Sequence, residues 1–288
     1  MCILGGVRSG TFRGEEGMQA ASGTYHNTSS LRFCGVFIAV IMYACMRFVS
    51  AQDAPLPEHL KIARNFVAHT MQKNNSYSNS RIYTEMPGDL FASKYVVHAD
   101  CSSFVENMFY RSKSGVLEQI RTKKYSHYSL RDFYSSIATS EAFIRLNKVV
   151  DLQPGDVVMW LYVEHHQLPG HILFVDSNPV KIEPYAPMVD GLDQYEVWVI
   201  DTSQEAKSLD DTRYVADEKT RQENRARGAE FGTIASPNYK GVGRGHIRLY
   251  ADTAGEIKGV AFGFPNSRFH PQETDWRIAM GRPRVKGN

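Results

Sequence analysis

Cysteine is scarce in this chain of 288 residues, which contains four. Three of them, Cys2, Cys34 and Cys45, lie within the first 51 residues, and Cys101 stands alone in the remainder. A single thiol cannot form an internal disulfide, so the part of the chain beyond residue 51 has no disulfide framework. The chemistry of the thiol therefore becomes the leading explanation for Cys101.

The chain also lacks an excess of charge of either sign. Its 33 lysines and arginines against 31 aspartates and glutamates give a formal net charge of +2. So small a charge argues against tracking along nucleic acid and against adsorption to a membrane surface. The one basic run, residues 219–227, includes Glu223 and is typical of a solvated helix face.

The apolar run from Cys34 to Cys45 is short for a bilayer span and suits the core of a signal peptide. Arg32 precedes it, and the small residues of Val49-Ser50-Ala51 follow at cleavage-site positions. The sequence therefore predicts a leader over residues 1–51 and an exported protein, periplasmic or extracellular. Two alternatives stay open: translation from Met18, and an uncleaved segment that anchors the chain as its only contact with a membrane.

Residues 52–288 are predicted to form one domain, because the chain has an ordinary globular composition and no internal repeat. The spacing of apolar residues predicts a first helix over residues 57–72. A second helix is predicted to begin at Cys101, with Asp100 as its N-cap. A third is predicted after Ser129, where an acidic residue lies three positions on.

The second half of the chain changes character, since short runs rich in β-branched and aromatic residues predict strands. These runs cover residues 156–162, 171–175, 196–201, 246–250 and 257–262. The turn residues 252–255 between the last two runs predict a hairpin. Helices followed by several antiparallel strands predict an α+β domain, with N-terminal helices packed on a central antiparallel sheet.

The position of Cys101 at a helix start bears on its reactivity. The positive end of the helix dipole and the unsatisfied first-turn amides both favour a thiolate over a thiol. A lone cysteine is otherwise often a small buried apolar residue. At this position the sequence predicts a nucleophile, and the N–H of Cys101 is a candidate donor to the oxyanion formed on attack.

A nucleophilic cysteine needs a base and a residue that orients the base. His171 opens an apolar strand directly after Pro169-Gly170, where an imidazole is expected only if its ring faces a cleft. Asp201 ends the next apolar strand and is predicted to fix the tautomer of His171. Asp176, near the far end of the His171 strand, is the alternative for this third position.

The sequence predicts neither a cofactor nor a metal. The adjacent residues Glu164-His165-His166 point in different directions, and no thiolate ligand is near them in the sequence. The glycine-rich stretch from Gly241 to His246 is not followed by the helix that a phosphate-binding loop requires. It is therefore interpreted as the entrance to a strand.

Three short motifs follow one another along the chain: Asp100 to Val105, Leu152 to Val158 with its Pro-Gly-Asp turn, and Gly170 to Val175. In this order they resemble the NlpC family of papain-like cell-wall cysteine peptidases. In that family the cysteine opens a helix, the Pro-Gly-Asp turn starts the first core strand, and the histidine begins the next. The resemblance implies a papain-like fold with Cys101, His171 and Asp201 as catalytic residues.

The resemblance further implies hydrolysis of amide bonds in peptidoglycan stem peptides, without a cofactor. Residues 178–194 and 210–244 have no evident counterpart in the family and are interpreted as insertions. The first is expected to border the cleft, and the second to form a lid or a surface helix. Two alternatives use the same residues: an acyltransferase of the transglutaminase type, and a non-catalytic module that binds the cell wall.

Overall fold

The computed structural model describes residues 55–286, apart from residues 81 and 209 and the ranges 121–126, 163–169, 215–239, 263–267 and 273–275. The described residues belong to one compact unit. The predicted leader, the Glu164-His165-His166 run and the basic run at 219–227 lie outside them. Among the described residues, no helix combines the length and apolar character needed to cross a membrane.

Three α-helices occur in the described part of the chain, and all begin close to their predicted starts. They are α1 (Glu58–His69), α2 (Cys101–Arg111) and α3 (Leu130–Ala138). The side chain of Asp100 accepts a hydrogen bond from the first turn of α2, and Ser129 forms a capping box with Asp132 at α3. These caps confirm the predicted N-termini.

Twelve strands occur in the same residues. They are β1 (Asn75–Ser76), β2 (Tyr83–Glu85), β3 (Val96–His98), β4 (Phe143–Leu146), β5 (Val157–Tyr162), β6 (Gly170–Val175), β7 (Val180–Ile182), β8 (Asp193–Ser203), β9 (Gly241–Ala251), β10 (Ile257–Phe262), β11 (Arg268–Pro271) and β12 (Trp276–Pro283). The first three form a small sheet. The other nine form an antiparallel sheet in the order β11-β10-β9-β8-β6-β5-β12-β4, with β7 added beside β8.

The prediction of an α+β, papain-like domain is wrong. Strands hold 38% and helices 22% of the described residues, and the helices do not pack N-terminally over a papain-like fold. The five predicted strands are present as β5, β6, β8, β9 and β10, and β9 and β10 form the predicted hairpin. The error arose from strands that lack a period-2 pattern, such as β12, which contains Gly281 and two arginines and yet inserts between β5 and β4.

The large sheet is strongly curled. The ring of Trp160 on β5 stacks on the ring of Phe262 on β10, with centroids 5.3 Å apart. Three strands separate β5 from β10 in the sheet order, so a flat sheet would hold them roughly 19 Å apart. One apolar cluster fills the inside of the curl, and a second lies between the other face and the helices.

The structure describes parts of the two predicted insertions. In residues 178–194, β7 pairs with β8 from Gln194 to Glu196. Glu196 is five positions from Asp201, or roughly 17 Å along an extended strand. This end of the segment therefore lies away from Asp201, and the expectation that the segment borders the cleft stays a prediction. Of residues 210–244, the range 215–239 lies outside the described residues, so the expectation of a lid or a surface helix stays a prediction. Arg213, at the start of the segment, is fully buried.

Candidate active site

The thiol of Cys101 lies where the large sheet splits. Strands β6 and β8 pair at Phe174 and Val175 of β6 and diverge toward the start of β6. The N–H of Asp176 donates to β8, and because amide directions alternate along a strand, the N–H of Ile172 points to the same side. There it hydrogen-bonds to the sulfur of Cys101. The split thus places the thiol against the backbone of the residue that follows His171.

His171 and Asp201 bridge the same split with their side chains. Nε2 of His171 lies 2.5 Å from Oδ2 of Asp201, whose side chain is completely buried. Since this bond uses Nε2, Nδ1 is the ring nitrogen left to accept a proton from a nucleophile. The structure therefore brings together the base and the orienting carboxylate named from the sequence.

Gly170 gives His171 its position. Its φ is +132°, and a Cβ at this residue would lie 1.9 Å from the carbonyl oxygen of Trp160. Only glycine combines this backbone conformation with so close an approach between β5 and β6. The imidazole of His171 then projects beside the Trp160 ring, with centroids 5.2 Å apart. The Gly170-His171 pair is thus a steric requirement of the site.

Two buried cations surround the carboxylate of Asp201. Arg213 donates through Nη2 to Oδ1 and to the main-chain oxygen of Asp201. Nζ of Lys207 lies 3.4 Å from Oδ2 and 3.1 Å from Oγ of Ser203. The side chains of Arg213 and Lys207 are 0% and 3% exposed, so solvent does not screen either charge.

The glycine-rich stretch at the start of β9 makes room for Arg213. Gly243 lies opposite Asp201 in the β8–β9 pairing. A Cβ on Gly243 would lie 2.7 Å from Cγ of Arg213, so the bare backbone is what lets the arginine cross the strand. Nε of Arg213 then donates to the carbonyl oxygen of Gly241 at 2.9 Å. The predicted strand entrance is confirmed, and its glycines have a steric purpose.

The fold acts on the pKa of Cys101 in the direction opposite to the helix start. Burial, together with the charges of Asp100 and Asp201, raises the pKa of the Cys101 thiol to about 12. The amides of Ile172 and Ser102 act in the opposite direction but are outweighed. These effects oppose the thiolate that the helix start favours, because two amides do not offset burial and two carboxylates. The direction of the shift favours a thiol at neutral pH.

The pKa values of His171 and Asp201 are also shifted by their surroundings. Burial lowers the pKa of His171, and Lys207 lowers it further, against the opposing effect of Asp201. For Asp201, burial alone would raise the pKa, but Arg213, Lys207 and His171 together hold it well below its usual range. At neutral pH the site thus contains a thiol, a neutral imidazole and a charged carboxylate.

A cavity of ≈ 310 Å³ borders the thiol and opens to solvent. Tyr77, Asn79 and Ser129 contribute polar groups to its wall, beside Cys101 and Gly170. Burial raises the pKa of Tyr77, so its hydroxyl remains a hydrogen-bond donor at neutral pH. The cavity is large enough for one or two residues of a peptide and gives a substrate access to Cys101.

Asp176, the alternative third residue, lies elsewhere. It is buried at the end of β6 and binds Nε of Arg64 at 2.6 Å and Nε of Arg244 at 2.5 Å. These bonds join α1, β6 and β9 and do not involve His171. The structure therefore favours Asp201 over Asp176 as the partner of the imidazole.

Sequence reasoning missed Lys207 and Arg213. Neither residue lies in an apolar run or a motif, because the segment between β8 and β9 enters the core through polar contacts. The alternating glycines at 241, 243 and 245 were the available signal, since such a pattern on one strand face leaves space for another segment. Among the described residues, no group of three or more histidine, cysteine, aspartate or glutamate side chains is placed to hold a metal ion.

Comparison with models of protein families gives no match, and no solved structure matches the chain. Among curated proteins, the chain is similar to an uncharacterized protein of Acanthamoeba polyphaga mimivirus. The two are 25% identical over 200 residues, which cover 65% of this chain and 78% of the viral protein. This similarity names no activity, so the functional argument depends on the geometry of the site.

Proposed function

We propose that this protein is a cysteine hydrolase in which Cys101 is the nucleophile, His171 the general base and Asp201 the residue that orients His171. The bond of 2.5 Å between His171 and Asp201, next to a buried thiol at a helix start, carries this proposal. A nucleophile, a base and an orienting acid in one place are the requirements of acyl transfer. The adjoining cavity supplies space for the acyl group.

The reaction follows from these positions. As the sulfur of Cys101 attacks a carbonyl carbon, the thiol proton passes to Nδ1 of His171 and the π electrons move to the carbonyl oxygen. Collapse of this intermediate breaks the C–N bond, and His171 returns the proton to the departing amine. Water, deprotonated by His171, then cleaves the thioester and restores the thiol. Asp201 stabilises the transient imidazolium through Nε2.

The first-turn amide of Cys101 is the donor that we assign to the oxyanion. Amides at a helix start point out of the helix toward negative charge. Asp100 accepts the N–H of Ser103 at 2.7 Å and thereby fixes the first turn of α2. The N-cap therefore both positions the nucleophile and holds its neighbouring amides in place.

The substrate class we propose is a peptide amide. The three motifs around Cys101, Pro154-Gly155-Asp156 and His171 make stem peptides of peptidoglycan the first substrate to test. Acyl transfer to an amine would pass through the same thioester, and added amines appearing in the product would identify that reaction.

The test uses the full chain incubated with peptidoglycan from several wall types and with peptide amides, with released fragments identified by mass spectrometry. We expect fragments that disappear in Cys101→Ala and fall by at least ~10³-fold in His171→Gln, since triad members act as a unit. Asp176→Asn is the matched control, because it alters a buried aspartate that does not contact His171. Full activity in Cys101→Ala would refute the proposal.

A further inference from the structure

Asp201 is bound by more positive charge than the orientation of a histidine requires. The oxygen Oδ2 that bonds His171 also lies 3.4 Å from Nζ of Lys207, while Arg213 binds Oδ1. A buried cation loses its hydration and is retained only where it is paired. Two buried cations on one carboxylate therefore indicate a role beyond holding the chain together.

The buried charges of the Asp201 cluster, which consists of Asp201, Asp211, Lys207 and Arg213, balance without a proton on His171. Asp211 accepts hydrogen bonds from Arg213 and from the amides of Lys207 and Arg213, as a carboxylate does. The carboxylates of Asp201 and Asp211 thus equal the charges of Lys207 and Arg213. A proton on His171 would add one uncompensated positive charge in a place closed to water.

We propose that Lys207 and Arg213 are positioning residues that fix Asp201 as a charged acceptor and keep the Cys101–His171 pair neutral until a substrate is attacked. The inference rests on the proposed function, and it specifies how the nucleophile is activated. Cys101 is deprotonated only during attack, by transfer to His171, instead of resting as a thiolate beside an imidazolium. The resting thiol is consequently a poor target for alkylating reagents at neutral pH.

The charged groups that act on His171 are Asp201 on β8 and both Lys207 and Arg213 on the segment after β8. Around them lie further titratable groups: Asp211, which binds Arg213, Asp100 and Cys101 at α2, and Tyr162 on β5. Of these, only Lys207 contacts the same carboxylate oxygen as the imidazole. Lys207 is therefore the cation whose charge acts most directly on His171.

The decisive variant is Lys207→Met, with Lys207→Arg as the conservative variant that keeps the charge. Two readouts need no substrate: titration of the His171 imidazole by NMR, assigned with His171→Gln, and the rate of alkylation of Cys101 by iodoacetamide against pH. Mass spectrometry of the Cys101 peptide separates this thiol from Cys2, Cys34 and Cys45. A failure to find hydrolysis is thus distinguishable from a failure of the inference.

In Lys207→Met we expect His171 to titrate at higher pH than in the wild type. Alkylation at pH 7 should become about tenfold faster, because an imidazolium then stabilises the thiolate. Lys207→Arg keeps the positive charge, so the titration of His171 and the alkylation rate of Cys101 should stay as in the wild type. Arg64→Met is the matched control, because it removes one of the two cations on Asp176 and should leave both readouts unchanged.

Two results would overturn the inference. One is a Lys207→Met protein whose melting temperature falls while the titration of His171 and the alkylation rate stay as in the wild type, which would make the lysine structural. The other is a wild-type alkylation profile with a plateau at neutral pH, the signature of a preformed thiolate–imidazolium pair. The second measurement needs no variant, so it decides the matter even if Lys207→Met fails to fold.

Discussion

Asp176 and Asp201 are two buried aspartates with similar partners and different surroundings. Each binds two cations, which come from distant parts of the chain at Asp176 and from the segment directly after β8 at Asp201. At Asp176 these are Arg64 and Arg244, whose side chains are 39% and 37% exposed. At Asp201 the corresponding cations are enclosed, and the carboxylate also bonds His171.

The difference separates an ion cluster that fastens elements from one that controls a reactive group. The arginines at Asp176 keep much of their hydration and join α1 to β6 and β9, which is a structural role. The cations at Asp201 cannot be screened by solvent or salt, so their full effect falls on Asp201 and His171. Burial of the cations, more than their number, distinguishes the two clusters.

The difference in role between the two clusters is tested most strongly by replacing each carboxylate with an amide. Asp201→Asn should lower kcat/KM by roughly 10⁴-fold per folded molecule, because the amide no longer fixes the proton on Nε2 of His171. Asp176→Asn should leave kcat/KM unchanged and reduce the free energy of unfolding by ~1–3 kcal/mol, since its arginines can reach water. Steady-state kinetics and urea unfolding measure the two effects.

Asp201→Asn also removes one of the two buried carboxylates that bind Arg213, the other being Asp211, at an expected cost of ~3–5 kcal/mol of stability. Circular dichroism must therefore confirm the folded fraction before kinetics are compared. Equal losses of kcat/KM in the two variants would show that the two clusters do not differ in role.

The sequence predicts features that depend on local interactions better than features that depend on long-range ones. Helix starts at Asp100 and Ser129 were predictable, because N-caps are local interactions between residues three positions apart. The strands with β-branched and aromatic residues were predictable from composition. The curl of the sheet and the insertion of β12 were not, since they depend on pairings between residues more than a hundred positions apart.

The residues of the site also divide into those that local patterns reveal and those that only the fold defines. Cys101, His171 and Asp201 were found because each sits at the end of an element that local patterns reveal. The raised pKa of Cys101 could not be predicted, because burial and the charge of Asp201 arise only in the fold. Lys207 and Arg213 had no local signature at all, since their partners are defined by how one segment crosses β9.

A second prediction compares two buried histidines. His171 is near the start of β6, and His59 on α1 lies beside the other end of this strand. His59 lies on the Asp176 side and donates from Nε2 to the carbonyl oxygen of Gly155 at 2.8 Å. Burial lowers the pKa of His59 from 6.5 to about 4. Between these values the unfolded chain binds a proton that the folded chain excludes, so stability should fall by up to ~3 kcal/mol as the pH drops from 6.5 to 4.

His59→Gln keeps an N–H donor and should flatten this part of the stability profile, as measured by urea unfolding at several pH values. Its activity per folded molecule should match the wild type, because His59 is not in contact with the Cys101 site. His69→Gln on the exposed side of the same helix is the control. An unchanged slope in His59→Gln would show that other groups govern the acid sensitivity.

The third prediction tests whether Arg213 must occupy its present position. In Gly243→Ala the new Cβ would meet Cγ of Arg213 at 2.7 Å, and in Gly281→Ala it would meet Cγ1 of Ile137 at 2.9 Å. Both changes force a side chain to move in a packed region, so both should reduce the free energy of unfolding by roughly 1–3 kcal/mol. Kinetics and the NMR titration of His171 then separate the two variants.

Gly281→Ala displaces an apolar side chain between α3 and β12, and its effect should end with stability. Gly243→Ala displaces the guanidinium from Asp201, so the carboxylate loses the partner that holds Oδ1, and the cluster loses part of its positive charge. His171 should then titrate at higher pH and kcat/KM should fall, although no residue that contacts substrate has changed. An equal shift in both variants would mean that the titration of His171 reports general loosening of the fold. A shift confined to Gly243→Ala would show that Gly243 is needed to leave space for Arg213. The absence of a side chain at this position of β9 would then be a requirement of the site.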